Sequence, residues 1–283
     1  MSPKISRRLF VQLFLLTACG SNSKPTQNDK LTVGVVSYGA GVQIIDQYAN
    51  FNNYLSEKTG ALVELEPTFN EAKALERIRN QAWSLIFAPP GLAAIAISEQ
   101  QYLPIAPLSN LGNLRSILVV RKDSSVRTLK DLNGKVVALG QLGSATGYYF
   151  PIFNLYGLTL AEIVTAPIPK TVMEWVAQGR VAAGALSREE FNFHSLQMTE
   201  TDFRVLYTDP HPVPPGVVLI GPSIERNLQE QIRKVINETP SVLAQEVGYV
   251  PNGTLPDYKY MTTVVKRVKS IATHIHKKPA RLF

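Results

Sequence analysis

Short β-branched runs alternate with helix-spaced segments along most of this chain, and that alternation restricts it to an α/β architecture. Leu31-Thr32-Val33-Gly34-Val35-Val36 is compact enough to be a buried strand, and it ends at Ser37-Tyr38-Gly39-Ala40-Gly41. Residues 43–58 then show helical spacing through Ile44, Ile45, Tyr48, Phe51, Tyr54 and Leu55, stopped by Gly60. Leu62 to Glu66 alternates as a second strand. Asn70 is placed to cap a helix over 71–80 with Ala74, Leu75 and Ile78 inward. Leu85-Ile86-Phe87-Ala88 is a third strand, halted by Pro89-Pro90-Gly91. A β-α-β-α-β series of this kind predicts a parallel sheet covered by helices.

The pattern continues. A helix is expected near 92–100, with strands near 104–108 and 117–120. Thr128 to Lys135 reads as a short helix and turn, and Val136 to Leu139 as a strand. Gly143-Ser144-Ala145-Thr146-Gly147 is a loop opening a helix over 148–157. A helix over 171–179, strands at 181–186 and 205–207, a proline-rich break at 210–216 and a strand at 217–220 follow. From 223 onward the spacing is mainly helical. Two α/β halves result, with no sequence repeat behind them.

The N-terminus carries a different signal. Lys4, Arg7 and Arg8 precede an apolar run from Leu9 to Leu16, then small residues and Cys19, the only cysteine. That run is far shorter than the roughly 20 residues needed to span a bilayer. Charged start, apolar middle and small-residue end form a secretory signal, and Leu16-Thr17-Ala18-Cys19-Gly20 resembles a bacterial lipobox. The resemblance implies a signal peptide over 1–18, lipidation of Cys19, a flexible tether over 19–30 and a protein attached to a membrane outside the cytoplasm. Ser6-Arg7-Arg8-Leu9-Phe10 also resembles a twin-arginine motif, so both export routes stay open. Cleavage before Cys19 removes three basic residues and no acid, so the formal charge falls from +7 to +4 over 265 residues. That balance, with no Arg-aromatic array, argues against a nucleic-acid partner. A single cysteine excludes an intrachain disulfide.

Taken in order, the lipobox, the strand at 33–36, Phe87-Ala88-Pro89-Pro90, Leu129-Lys130-Asp131-Leu132-Asn133-Gly134-Lys135-Val136, the Ser144 loop and Pro215-Gly216 resemble the substrate-binding proteins of phosphate, phosphite and phosphonate ABC importers. These are type II periplasmic binding proteins, and the resemblance covers roughly 31–255. It implies two lobes, one from 31–118 plus 211–283 and the other from 119–210, made of mixed, mostly parallel sheets flanked by helices. A ligand cleft lies between the lobes and a hinge near 119–121 and 207–214. It further implies a monomer that binds a small oxyanion and delivers it to an ABC permease, with no cofactor.

The chemistry of such a site needs donors, not catalysts. A helix start has unsatisfied N–H groups and the positive end of the helix dipole. Ser144, Ala145, Thr146 and Gly147 sit there, and two small hydroxyl residues beside glycines let the backbone wrap an oxyanion. The same residues also suit an ordinary helix cap. The opposite wall is expected from Ser37, Tyr38, Pro89 and Pro90, at carboxyl ends of parallel strands, and Lys170 is a candidate for positive charge. The chain departs from the family at Ser84 and Ala182, where aspartate is usual, at Ala88 or Pro89, where tyrosine is usual, and at Pro169, where histidine is usual. A different oxyanion, or one with an apolar tail, therefore stays open. His194, His211, His274 and His276 show neither triad order nor metal spacing, and no Gly-x-Ser-x-Gly elbow occurs. An enzyme is not expected. A sensory binding protein for a membrane kinase is the main alternative, ahead of an exported enzyme on the same scaffold.

Overall fold

A computed structural model describes residues 30–36, 41–109 and 114–283. The signal peptide, most of the tether, Cys19, Ser37 and Tyr38 lie outside the described residues.

The first half builds strand β1 (Lys30–Val36), helix α1 (Gly41–Thr59), β2 (Leu62–Thr68), α2 (Glu71–Arg79), β3 (Leu85–Ala88), α3 (Pro90–Gln100) and β4 (Leu103–Pro107). Asn70 does cap α2, its Oδ1 accepting the Lys73 N–H at 2.8 Å, and Ala74, Leu75 and Ile78 are buried beneath it. The second half runs β5 (Ser116–Arg121), a 3₁₀ turn at Leu129–Leu132, β6 (Val136–Leu139), a π-helical turn at Ala145–Tyr149, α4 (Phe150–Asn154), β7 (Thr159–Leu160), β8 (Glu162–Thr165), α5 (Pro169–Ala177), β9 (Ala183–Ser187), α6 (Arg188–Ser195) and β10 (Phe203–Thr208). The chain then returns through β11 (Val217–Ile220) to α7 (Arg226–Glu238), α8 (Ser241–Glu246), α9 (Lys259–Ile275) and β12 (Ala280–Arg281).

Two five-stranded sheets result, ordered β2-β1-β3-β11-β4 and β10-β5-β9-β6-β8. Within the first, β1 runs parallel to β2 and β3, while β11 is antiparallel to β3 and β4. Within the second, β6 is parallel to β8 and β9, while β5 is antiparallel to β9 and β10. Antiparallel pairs are thus as frequent as parallel ones. The physical reason is connectivity: β5 and β11 enter their sheets by crossing from the other half, against the direction set by the β-α-β units. All four residues of β3 and of β11 are buried, as expected for strands covered on both faces.

Leu31, Val33 and Val35 of β1 pack against Tyr48, Phe51 and Leu55 of α1, and Phe87 joins Tyr48 and Phe51 edge-to-face. Val119 and Val120 lie inside β5, completely buried. The two crossings run side by side: Leu114 bridges Val213, and the Asp209 N–H donates to the Ser116 carbonyl at 2.9 Å. Helix α9 shares one core with residues of α3 and α4, and β12 pairs with β7, so the C-terminal segment touches both halves. No helix among the described residues is long and apolar enough to cross a membrane.

Candidate functional site

A cavity of about 380 Å³ opens between the two sheets, and helix starts form much of its wall. Glu71 begins α2, Pro90 and Gly91 begin α3, Ala145 and Thr146 begin the helical run over 145–154, and Pro169 and Lys170 begin α5. Each start turns the positive end of a helix dipole toward one space.

The 140–147 loop is the most tightly specified wall. Ser144 Oγ accepts the Gly147 N–H at 3.0 Å, and the Ser144 carbonyl accepts from Tyr148 and Tyr149. The hydroxyl is therefore used as the cap. The N–H groups of Ala145 and Thr146 precede every helical acceptor, so the helix itself offers them no partner. The Gly140 N–H donates to the Gly147 carbonyl at 2.8 Å, and Ser116 Oγ donates to the Thr146 carbonyl at 2.7 Å, which ties the turn to the crossing strands. Gly147 allows the close approach: a Cβ there would lie 3.1 Å from Ser144 Oγ and 3.2 Å from the Gly140 Cα.

The opposite wall comes from the first sheet. Pro90 fits the first turn of α3 because its missing N–H has no helical acceptor there. Gly91 next to it touches the 143–145 backbone so closely that a Cβ would fall 1.9 Å from the Gly143 carbonyl oxygen. Gln141 links the halves again, its Oε1 accepting the Glu71 N–H at 3.2 Å and its Nε2 donating to the Pro167 carbonyl at 2.6 Å. The cleft is closed along this edge.

Pro89, Pro90, Ser144, Ala145, Thr146, Gly147 and Lys170 all line the cavity. Lys170 is half exposed, with Nζ 3.9 Å from a Glu174 carboxylate oxygen. Ser84 and Ala182, in contrast, are not among the lining residues. Ser84 Oγ accepts the Thr32 N–H at 3.1 Å and so fastens β3 to β1.

Four polar lining residues were missed in the sequence: Glu71, Gln141, Glu190 and His194. Glu71 is only 6% exposed. Glu190 closes a capping box, its carboxylate accepting the Ser187 N–H at 2.7 Å while its own N–H donates to Ser187 Oγ at 3.1 Å. His194 lies one turn further along α6. Burial holds its imidazole below the ordinary histidine range, Glu190 and Glu174 pull it upward, and Lys170 pushes it down. The signal for α6 was present in Ser187-x-x-Glu190, a helix-start signature. Spacing i, i+4 then puts Glu190 and His194 on one face. Among the described residues no group of three or more His, Cys, Asp or Glu is arranged to hold a metal ion.

Several solved structures share this arrangement. The XAC2383 protein of Xanthomonas citri bound to chloride ion superposes with a TM-score of 0.70 at 18% identity, over 85% of this chain and 99% of that one. PhnD1 of Prochlorococcus marinus in complex with methylphosphonate gives 0.63 at 17%, over 86% and 100%. A binding protein component of an ABC phosphonate transporter from Pseudomonas aeruginosa gives 0.62 at 13%, over 88% of each chain. At these identities the likeness establishes the type II periplasmic binding protein fold. Residues 33–241 match the family model for the periplasmic substrate-binding protein of phosphonate ABC transporters. With most of its length inside that match, the chain belongs to the phosphonate-type periplasmic substrate-binding proteins of ABC transporters.

Proposed function

We propose that the protein is a lipid-anchored receptor that binds a small oxyanion, phosphate-, phosphite- or phosphonate-like, in the cleft and hands it to an ABC permease. The observation that carries this reading is the pair of N–H groups on Ala145 and Thr146. They sit at a helix start, on residues only 6% and 7% exposed, in a cleft whose edge is already closed. Oriented amides in a low-dielectric pocket hold an oxyanion without any reorganisation. The lobes, 31–118 plus 211–283 and 119–210, would part to admit ligand and close on it, with the closed form favoured by the ligand's own contacts. Cys19 would carry the lipid that keeps this trap beside its permease.

The test is a melting series on residues 20–283 with phosphate, phosphite, methylphosphonate, sulfate and small sulfonates. Ligand at 100 times its dissociation constant adds about 2.7 kcal/mol of stability. No shift with any of these anions removes the oxyanion reading. Labelled fatty acid incorporated into the full chain, and lost in Cys19→Ala, tests the anchor. Stimulation of permease ATPase activity by ligand-loaded protein separates import from sensing.

A further inference from the structure

The whole net charge of +7 sits in one stretch of this chain. Residues 259–283 hold seven Lys and Arg and no acid, while residues 1–258 hold 22 of each sign and balance. The stretch contains α9 and β12, and its cations share the outward side. Met261, Val264, Val265, Val268, Ile271 and Ile275 of α9 are buried. The 3.6-residue period therefore turns Lys259, Lys266, Arg267 and Lys269 to solvent, and all four are exposed. Beyond the helix Lys277, Lys278 and Arg281 are exposed as well, Arg281 between the buried Ala280 and Leu282. We propose that this face is a docking surface for an anionic phospholipid membrane, separate from the cleft and requiring neither a ligand there nor a lipid on Cys19.

A solvated surface helix of the same protein looks different. Helix α7 carries three cations, and two of them pair one turn on, Arg226 with Glu230 and Lys234 with Glu238. Helix α9 has no acid for such pairs, and Lys266 and Lys269 stand as like charges at i, i+3, a destabilising arrangement. Neighbouring elements compensate two of the seven cations: Lys269 reaches Glu99 at 2.8 Å and Lys278 reaches Glu162 at 2.7 Å. Among the described residues no carboxylate forms an ion pair with Lys259, Lys266, Arg267, Lys277 or Arg281. The helix dipole accounts for a cation just past the end of α9, such as Lys277, but not for Lys259 at its start. A field of one sign attracts its counter-charge from outside the molecule.

The shape of the array identifies that counter-charge. None of residues 259–283 lines the cavity, so it is not the cargo. The 17 residues of α9 alone run about 26 Å, a span that one small anion cannot cover and a layer of phosphate headgroups can. The apolar side of α9 belongs to the protein core, so contact is made through charge rather than by insertion of the helix. Two aromatic rings accompany the cations. Phe283 is 54% exposed, and Tyr156 is 45% exposed with the Arg267 guanidinium 4.4 Å from its ring centroid. Such rings favour the headgroup layer. A periplasmic substrate-binding protein of ABC transporters works beside a membrane, which puts that layer within reach.

Vesicle flotation tests this on residues 20–283, which keep every described element. The vesicles are phosphatidylcholine alone or phosphatidylcholine mixed with phosphatidylglycerol, at low and at near-molar salt. Each Lys or Arg near an anionic surface strengthens binding about fivefold. Wild type should therefore float with the mixed vesicles and not with the neutral ones. At near-molar salt, where the Debye length is about 3 Å, flotation should vanish. These arms need no variant. The combined substitution Lys266→Gln, Lys277→Gln and Arg281→Gln should weaken binding to mixed vesicles about 100-fold. Arg226→Gln, Arg233→Gln and Lys234→Gln on α7 remove the same charge elsewhere and should leave binding within about threefold. All six positions are exposed, so neither variant disturbs a core. Equal flotation with both vesicles, binding that survives near-molar salt, a 266/277/281 variant that binds like wild type, or an α7 variant weakened just as much overturns the proposal. Oxyanion titrations of the 266/277/281 variant should match wild type, so the two readings fail separately.

Discussion

Replacing Gly91 by alanine should block closure of the cleft without harming the fold. The added Cβ would lie 1.9 Å from the Gly143 carbonyl oxygen and 2.8 Å from the Ala145 nitrogen, whereas real Cβ atoms essentially never approach closer than 3.0 Å. Both obstacles are backbone, so no side chain can swing aside. The walls must part by about 1.5 Å there to bring that 1.9 Å approach to ordinary contact. The Glu71 N–H to Gln141 hydrogen bond, already 3.2 Å, then stretches beyond useful length. Overpacking of this kind costs about 1–3 kcal/mol, and with lobes that open as proposed the cost would fall on the closed form. Because apparent affinity scales with the population of the competent state, ligand binding should weaken by about 5- to 150-fold. Parting of the lobes as proposed would relieve the clash, and alanine suits a helix better than glycine, so the ligand-free melting temperature should hold or rise slightly. Calorimetry with the best-binding oxyanion and small-angle scattering with and without ligand measure the two halves of this expectation. Wild-type affinity with a normal ligand-induced contraction would refute the steric argument. A lower ligand-free melting temperature would refute the claim that only closure is affected.

Other substitutions probe the supports of the site. Ser144→Ala removes the cap on the Gly147 N–H and should cost about 1 kcal/mol of stability, read as a lower denaturant midpoint, together with weaker oxyanion binding. Gly34→Ala would place a Cβ 2.2 Å from the Trp83 ring, which is completely buried; chemical denaturation should show a loss of about 1–3 kcal/mol, and an unchanged midpoint would contradict the packing described for β1. Asp131 accepts the N–H groups of Arg127 and Thr128, and these bonds hold its carboxyl below the ordinary range. Its stabilising contribution is therefore complete above the ordinary carboxylate pKa and fades as pH falls through the folded value. The stability difference between wild type and Asp131→Asn, followed by thermal melts from pH 7 to pH 2, should shrink toward the acid end.

Elements with a buried face were legible in the chain, and elements without one were not. Helix α1 announces itself because Tyr48, Phe51 and Leu55 must all reach one core. Helix α6 has no buried residue, hence no apolar stripe, and its capping box was the only sign of it. Strand β7 is two residues long and pairs with two more at the C-terminus, too short for any period to register. The site divides in the same way. The 143–147 loop could be read because glycine and hydroxyl residues at a strand-to-helix junction have a backbone meaning of their own. Glu71 and Glu190 could not, because an acid in the first turn of a helix is accounted for by the dipole and the cap. Glu190 does in fact cap, through Ser187, and the residue also lines the cleft. What brings a capping residue to the cleft is the packing of α6 against α5, so that Glu190 and Lys170 line the same cavity, a tertiary fact. A wall assembled from helix starts presents backbone N–H groups, which leave no fixed mark in side-chain identity.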